Sequence, residues 1–201
     1  MAKSKKPSTL YSVLFMFLLA AVFTGILAAL NIVTADAIEE NSKIDQQRAI
    51  LKAAGVDAAD DEIQKIYESD FEKVSEDPRD VYKYQSQDKN GYVFSYEGGA
   101  LWGNVVGYVG INEELSNLLG MSVYQNNETP GLGGRITEDW YQEQFRELEV
   151  GQGEFIVYKP SPGGNVDAIT GATLTSNSMK DMLNEDIQSF VEEFKGGQYE
   201  K

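Results

Sequence analysis

One string in this chain carries the most specific chemistry: Asp167-Ala168-Ile169-Thr170-Gly171-Ala172-Thr173. Leu174-Thr175-Ser176 follows, and an amphipathic stretch runs on from there, so the pattern predicts a hydroxyl-rich turn that opens a helix. Gly171 and Ala172 are small enough to leave the Thr173 hydroxyl approachable. The free N–H groups of a helix start favour an anion. A threonine oxygen forms a phosphoester when an enzyme supplies an activated phosphoryl donor. Read alone, the string is also an ordinary Ser/Thr-rich helix cap. A second string, Glu128-Thr129-Pro130-Gly131-Leu132-Gly133, reads alone as a rigid Pro-Gly turn. Trp102 is either the aromatic edge of a pocket or a core tryptophan. Lys159, just before the 160–166 loop, is either a cation near a bound anion or a strand-end lysine in solvent.

The composition limits what these residues can do. The chain has no Cys and no His among its 201 residues. That excludes disulfides, iron–sulfur clusters, thiol nucleophiles, histidine-ligated haem, Ser-His-Asp triads and most zinc sites. Redox chemistry here must therefore come from an organic cofactor that the protein holds and tunes. With 17 Lys+Arg against 32 Asp+Glu the formal charge is −15, which repels phosphate backbones, so no nucleic-acid partner is expected.

The elements that must position these residues begin with an anchor. Residues 7–35 carry no charge, and Leu10–Val33 is a mostly apolar run of 24 residues. A spanning helix needs about 20 residues, whereas a cleaved signal sequence has a shorter apolar region of about 7–15. The sequence therefore predicts a retained transmembrane helix over 10–33 in contact with the lipid bilayer. Without a Cys, no lipoprotein anchor is possible. Lys3, Lys5 and Lys6 precede the helix, and Asp36, Glu39 and Glu40 follow it. The positive-inside rule then places residues 1–9 in the cytoplasm and the main domain in the periplasm or outside. The exported part holds all 32 acidic residues and 14 basic ones, a charge of −18, read as a solvated, soluble surface.

Beyond the membrane, residues 36–54 read as a continuing helix with Ile38, Ile44, Ile50 and Leu51 on an imperfect stripe and Gly55 as its C-cap. Residues 60–73 read as a second helix, capped by Asp60 or Asp61, with Ile63, Ile66, Tyr67 and Phe71 on one face. Residues 34–76 form a helical stalk on this reading. After Pro78 the period changes to two. Val81, Tyr82 and Tyr84, then Tyr92, Phe94 and Tyr96, read as strands around Lys89-Asn90-Gly91, since Asn-Gly is a strong hairpin signal. Leu101–Asn112 reads as a further strand, and Leu115–Asn126 as a turn leading into another. Thr137–Phe145 reads as a helix capped by Thr137, Glu154–Lys159 as a strand and Ser161–Val166 as a loop. Residues 175–195 read as an amphipathic helix with Met179, Met182, Leu183, Ile187, Phe190, Val191 and Phe194 facing the core, ended by Gly196-Gly197. The fold class expected is α+β: a single N-terminal transmembrane helix and an exported mixed domain, without alternating βαβ units.

The string DAITGAT resembles the flavinylation signature Asp-x-x-(Ser/Thr)-Gly-Ala-(Thr/Ser), matching it at Asp167, Thr170, Gly171, Ala172 and Thr173 without departure. With Trp102 upstream, the Glu128–Gly133 string between, and the single anchor, the chain resembles the FMN-binding domain family. That family includes the C subunit of the Na+-translocating NADH:quinone reductase and the G subunit of the Rnf electron-transport complex. The resemblance covers nearly the whole chain. It implies an FMN-binding domain over 77–201, with FMN joined to Thr173 by a phosphodiester. It implies that Glu128, Thr129, Gly131 and Leu132 contact the ring, Leu174 and Thr175 lie on its other side, Trp102 forms an aromatic edge, and Lys159 stands near the ring's N1–C2 region or the phosphate. It also implies an electron-transfer subunit without complete activity alone, with the other subunits of a membrane complex as partners and a FAD- and Mg2+-dependent flavin transferase in maturation. Asn41–Val56 and Thr173–Asn177 look like the quinone-reductase subunit, the complex expected here. The length, and Asp167–Thr170, suit the Rnf subunit as the alternative. A stand-alone flavoprotein and a non-redox anchored binding module account for DAITGAT less well.

Overall fold

The computed structural model describes residues 8–87 and 89–199. Lys3, Lys5 and Lys6, on which the expected orientation rests, lie outside the described residues. The chain divides into two units, Met1–Lys43 and Ile44–Lys201.

The first unit contains most of α1 (Thr9–Ala53). Ser8 Oγ accepts the Tyr11 N–H at 3.3 Å, meeting one of the donors a helix start leaves open. Leu10, Phe17, Leu27, Leu30 and Val33 are all exposed. By length and composition this helix can cross a membrane. Thr34 returns its hydroxyl to the Leu30 carbonyl at 2.9 Å, so that polar group is satisfied within the helix.

The second unit begins with the last turns of α1, where Ala49, Ile50, Leu51 and Ala53 become buried. The helix ends as expected at Gly55, whose φ is +74°. The Gly55 N–H bonds the Lys52 carbonyl and the Val56 N–H bonds the Leu51 carbonyl, each at 3.0 Å, the paired bonds of a Schellman end.

The second helix is shorter than the periodicity predicts. It is α2 (Ile63–Asp70), and its N-cap is Glu62, with no side-chain cap from Asp60 or Asp61. Asp60 instead pairs with Arg48 at 3.1 Å. Phe71 opens β1 (Phe71–Ser75) and stacks on Tyr84 of β2 (Val81–Gln85), ring centroids 4.8 Å apart. The meander continues through β3 (Asn90–Gly99), β4 (Asn104–Asn112) and β5 (Leu118–Gln125), every neighbour antiparallel. Asn90-Gly91 is not the hairpin turn: Asn90 pairs with Gln85, so the turn lies before it. Gly91 is needed for β4, because a Cβ there would stand 2.1 Å from the Ile111 carbonyl oxygen. Leu101–Gly103, expected in a strand, form a loop before β4.

Alternation divides the sheet's side chains between two clusters. Tyr82, Tyr84, Val93 and Tyr108 pack with Ala49, Ile50, Ala53 and Ala54 from α1. Val81, Phe94, Tyr96, Val105, Val109 and Ile111 pack with α4 (Thr173–Lys195) through Met179, Leu183, Ile187 and Phe190. Phe94 and Phe190 stack at 4.1 Å with their planes 9° apart.

Two expected elements do not form as drawn. Thr137–Phe145 is a 3-10 turn (Gly133–Thr137), then α3 (Asp139–Gln142), then a second 3-10 turn. Thr137 does not cap it; its hydroxyl bonds back to the Gly134 carbonyl at 3.0 Å. Glu154–Lys159 forms no strand: it bends at Ile156, turns at Lys159 and makes one bridge, Tyr158 to Val166. Its partners are the backbone of 165–166, through Lys159 and Val157, and side chains. Asn184 Oδ1 accepts the Phe155 and Ile156 N–H groups, and Asn165 Oδ1 accepts that of Val157. The α+β class stands.

Candidate functional site

The turn 167–172 is fixed from behind before its hydroxyls are presented. Ile169 is 1% exposed, and its N–H bonds the hydroxyl of Ser176, also 1% exposed, at 3.0 Å. Tyr158 donates to the Ser176 carbonyl at 2.9 Å and shares a 2.8 Å hydroxyl contact with Tyr141. Burial, partly offset by the bond with Tyr141, pushes the Tyr158 hydroxyl up to about 12, so it stays a donor across ordinary pH. Gly171 takes φ +82°, a conformation that L side chains rarely adopt, and this turns the chain into α4.

Thr173 is therefore the first residue of α4, and both Thr170 and Thr173 are exposed. The N-cap is Ala172, which has no side chain able to cap the first turn. Of the two readings of this string, the Ser/Thr cap is not what forms: the exposed hydroxyls leave the first-turn N–H groups without a side-chain cap, which is where an anion is favoured. Asp167 and Lys159 are exposed and paired with each other at 3.1 Å. The Asp167 N–H also bonds Gln144 Oε1 at 2.7 Å. Lys159 thus stands beside the motif through Asp167.

Thr175 has a different fate from Thr173. It is 1% exposed and donates its hydroxyl to Glu128 Oε2 at 2.6 Å. Glu128 is 6% exposed, and its Oε1 accepts the Trp102 N–H at 2.8 Å. One carboxylate therefore ties together three segments far apart in sequence: the 101–103 loop, the Pro-Gly loop and the first turn of α4. The Trp102 ring is 67% exposed, so it is not a core tryptophan. In the Pro-Gly loop, the Thr129 carbonyl accepts the N–H groups of Leu132 and Gly134. Gly131 has φ +75° and open space around it. Leu132 is 48% exposed and its Cδ2 lies 3.6 Å from where a Gly171 Cβ would stand. Leu174 is 61% exposed.

The structure thus gathers Trp102, Leu132, Gly171, Thr173 and Leu174 in one surface patch, held together by the buried Glu128–Thr175 pair. Exposed apolar side chains there border an exposed hydroxyl at an uncapped helix start. This suits a ligand with an anionic end and a flat apolar end. Five surface clefts of 260–720 Å³ elsewhere on the molecule are lined by none of these residues. Sequence reasoning missed Gly133 and Ser176. A Cβ at Gly133 would meet Glu128 Oε2 at 2.3 Å and Thr175 Oγ1 at 2.6 Å. The second glycine of Gly-Leu-Gly was the available signal for it.

Comparison with known proteins gives the family. Residues 100–188, which hold the whole patch, match the FMN-binding domain model. The G subunit of the Na+-translocating ferredoxin:NAD+ oxidoreductase complex of Acetobacterium woodii is 30% identical over 195 residues, covering 88% of this chain and 89% of that protein. The chain belongs to the FMN-binding domain family. The G subunit of the ion-translocating oxidoreductase complex of Methanosarcina acetivorans is 36% identical over 132 residues, 58% of this chain and 65% of that protein. The C subunit of the Na+-translocating NADH-quinone reductase of Neisseria meningitidis serogroup B is 25% identical over 233 residues, 90% of each. The fold of this family member matches the crystal structure of the Na+-translocating NADH-quinone reductase C subunit from Parabacteroides distasonis with a TM-score of 0.66 at 21% identity, covering 78% of this chain and 94% of that one. Relatives from both complexes thus stand beside this chain.

Proposed function

We propose that this chain is the FMN-carrying electron-transfer subunit of a membrane ion-translocating oxidoreductase, with the flavin joined to Thr173. The observation that carries this reading is the exposed Thr173 hydroxyl at an uncapped helix start, bordered by exposed Leu132 and Leu174. Bound FMN supplies one- and two-electron redox chemistry. In maturation Thr173 gives up its hydroxyl proton and forms an Oγ1–P bond to the FMN phosphate, while AMP leaves FAD on a Mg2+-dependent flavin transferase. The resulting diester carries one negative charge instead of two, which suits a strongly acidic domain. The first-turn N–H groups of α4 would hold the phosphate, Leu132, Leu174 and Trp102 would cover the ring, and Gly131 would let the backbone approach it.

The charge asymmetry about residues 10–33 supports a cytoplasmic N-terminus and an exported domain. Energy conversion belongs to the assembled complex, and the chain has no complete activity alone. The Asn41–Val56 stretch favours the NADH:quinone reductase. The higher identity to the Acetobacterium woodii protein, 30% against 25%, favours the Rnf type as the second reading. Purifying the complex through a tag on this chain, then assaying NADH:quinone against ferredoxin:NAD+ electron transfer, separates the two.

The attachment reading is tested by Thr173→Ala. Coexpressed with a flavin transferase, the parent should fluoresce under ultraviolet light on a denaturing gel and Thr173→Ala should not. Fluorescence of that variant would place the flavin elsewhere.

A further inference from the structure

Glu128 is the buried acid at this site. It is 6% exposed, and both of its partners, the Trp102 N–H and the Thr175 hydroxyl, are neutral. Among the described residues no Lys or Arg pairs with it. Lys159 pairs with Asp167 and Arg135 with Glu138. Burying a carboxylate without a cation is costly. Here two hydrogen bonds and the positive end of the α4 dipole offset the cost. Neither hydrogen bond requires a charge. A Gln amide would accept from Trp102 with its oxygen and donate to the Thr175 oxygen with its nitrogen, in the same volume. Gly133 closes the remaining space, since a Cβ there would strike Glu128 Oε2 at 2.3 Å.

What Glu128 adds over a neutral residue of its shape is a fixed negative charge at the first turn of α4, little screened by solvent. Reduction places further negative charge on a flavin held at that turn, and a fixed carboxylate opposes it. We propose that Glu128 sets the reduction potential of the flavin low through this charge, separately from flavin attachment. The inference rests on the reading of Thr173 as the FMN site. Glu128 is a positioning and charge-setting residue on this account; it takes no part in bond making.

The test uses the full chain coexpressed with a flavin transferase, as parent, Glu128→Gln and Thr175→Ala. Two quantities are read: the mass of the Thr173 peptide and the midpoint potential from a spectroelectrochemical titration. Glu128→Gln should carry FMN on Thr173 as the parent does. Its potential should move positive by about tenfold in the reduction equilibrium, the scale of one unit charge in a partly desolvated site. Thr175→Ala removes a contact and keeps the charge, so its potential should stay at or below the parent's. An unmoved potential in a fully flavinylated Glu128→Gln protein would overturn the inference, leaving Glu128 as a tie between loops. A positive shift in Thr175→Ala would overturn it too, because loosened loops would then suffice. If Glu128→Gln does not fold, the sign of the Thr175→Ala shift decides in the same way. Absence of FMN from the parent's Thr173 peptide would remove the attachment reading, and this inference with it. A normal mass with an unmoved potential removes this inference alone.

Discussion

The two faces of the sheet meet their helices in different ways. On one face, the end of α1 approaches backbone to backbone. Ala49, Ala53 and Ala54 are small, and Gly110 leaves room where a Cβ would stand 2.2 Å from the Ala53 carbonyl oxygen. Ser122 donates to the Ala49 carbonyl at 2.7 Å, and Gln46 to the Tyr108 hydroxyl at 2.6 Å. On the other face, α4 packs on the sheet through large side chains, Phe190 on Phe94 and Met179 and Leu183 in the core. Beside the α1 contact a cleft of 260 Å³ is lined by Ala49 and Lys52 of α1 and by Ser122 and Tyr124 of β5. On the other face, α4 buries Thr175 and Ser176 but leaves Thr173 and Leu174 in the open, so the helix start becomes a surface site.

Substitutions on either face break or sharpen this contrast. The largest effect is expected on the α4 face. Phe190→Ala empties a fully buried ring site that also stacks on Tyr199, and should cost about 3–5 kcal/mol in urea unfolding of the folded domain. On the close face, Gly110→Ala forces a methyl into backbone and should cost about 1–3 kcal/mol while the FMN mass on Thr173 is unchanged. Gly99→Ala, with nothing within 4 Å of its Cβ, is the control and should leave the melting temperature near the parent's.

Gly131→Val tests the site rather than the packing. The φ of +75° makes a side chain there unfavourable by about 1–2 kcal/mol. On the proposed attachment, flavin content should persist, since the exposed 167–173 turn is unchanged, while the visible spectrum and potential change. Identical spectra and potentials would reduce the Pro-Gly loop to a turn. The smallest effect is expected for Lys52→Ala. It removes the ion pair with Asp139, whose side chain is 83% exposed, and should cost less than about 1 kcal/mol, falling further at high salt.

Local pattern made much of this legible in the sequence. The α4 periodicity, the period-two strands and the Gly55 helix end all follow from neighbours in the chain. Elements that depend on distant partners were not legible. Phe71 continues the helical spacing of Ile63 and Tyr67, yet a place opposite Tyr84 draws it into β1. Glu154–Lys159 alternates like a strand, but Asn184 and Asn165 accept the N–H groups of Phe155 to Val157. Gly91 looks like half of an Asn-Gly turn, and its reason lies across the sheet at Ile111. At the site, the motif named Thr173 and its neighbours. The burial of Glu128, which separates Thr175 from Thr173, rests on residues 26 and 47 positions away from it.

The central claim is the covalent flavin on Thr173, and one measurement tests it most directly. The full chain, coexpressed with its flavin transferase, is digested and the peptide containing Thr173 is fragmented in a mass spectrometer. The account predicts the mass of FMN less one water on that peptide, with the fragment series placing it on Thr173 and leaving Thr170 and Thr175 unmodified. An unmodified Thr173 in a protein that binds FMN, or the added mass on Thr170 or Thr175, would contradict it.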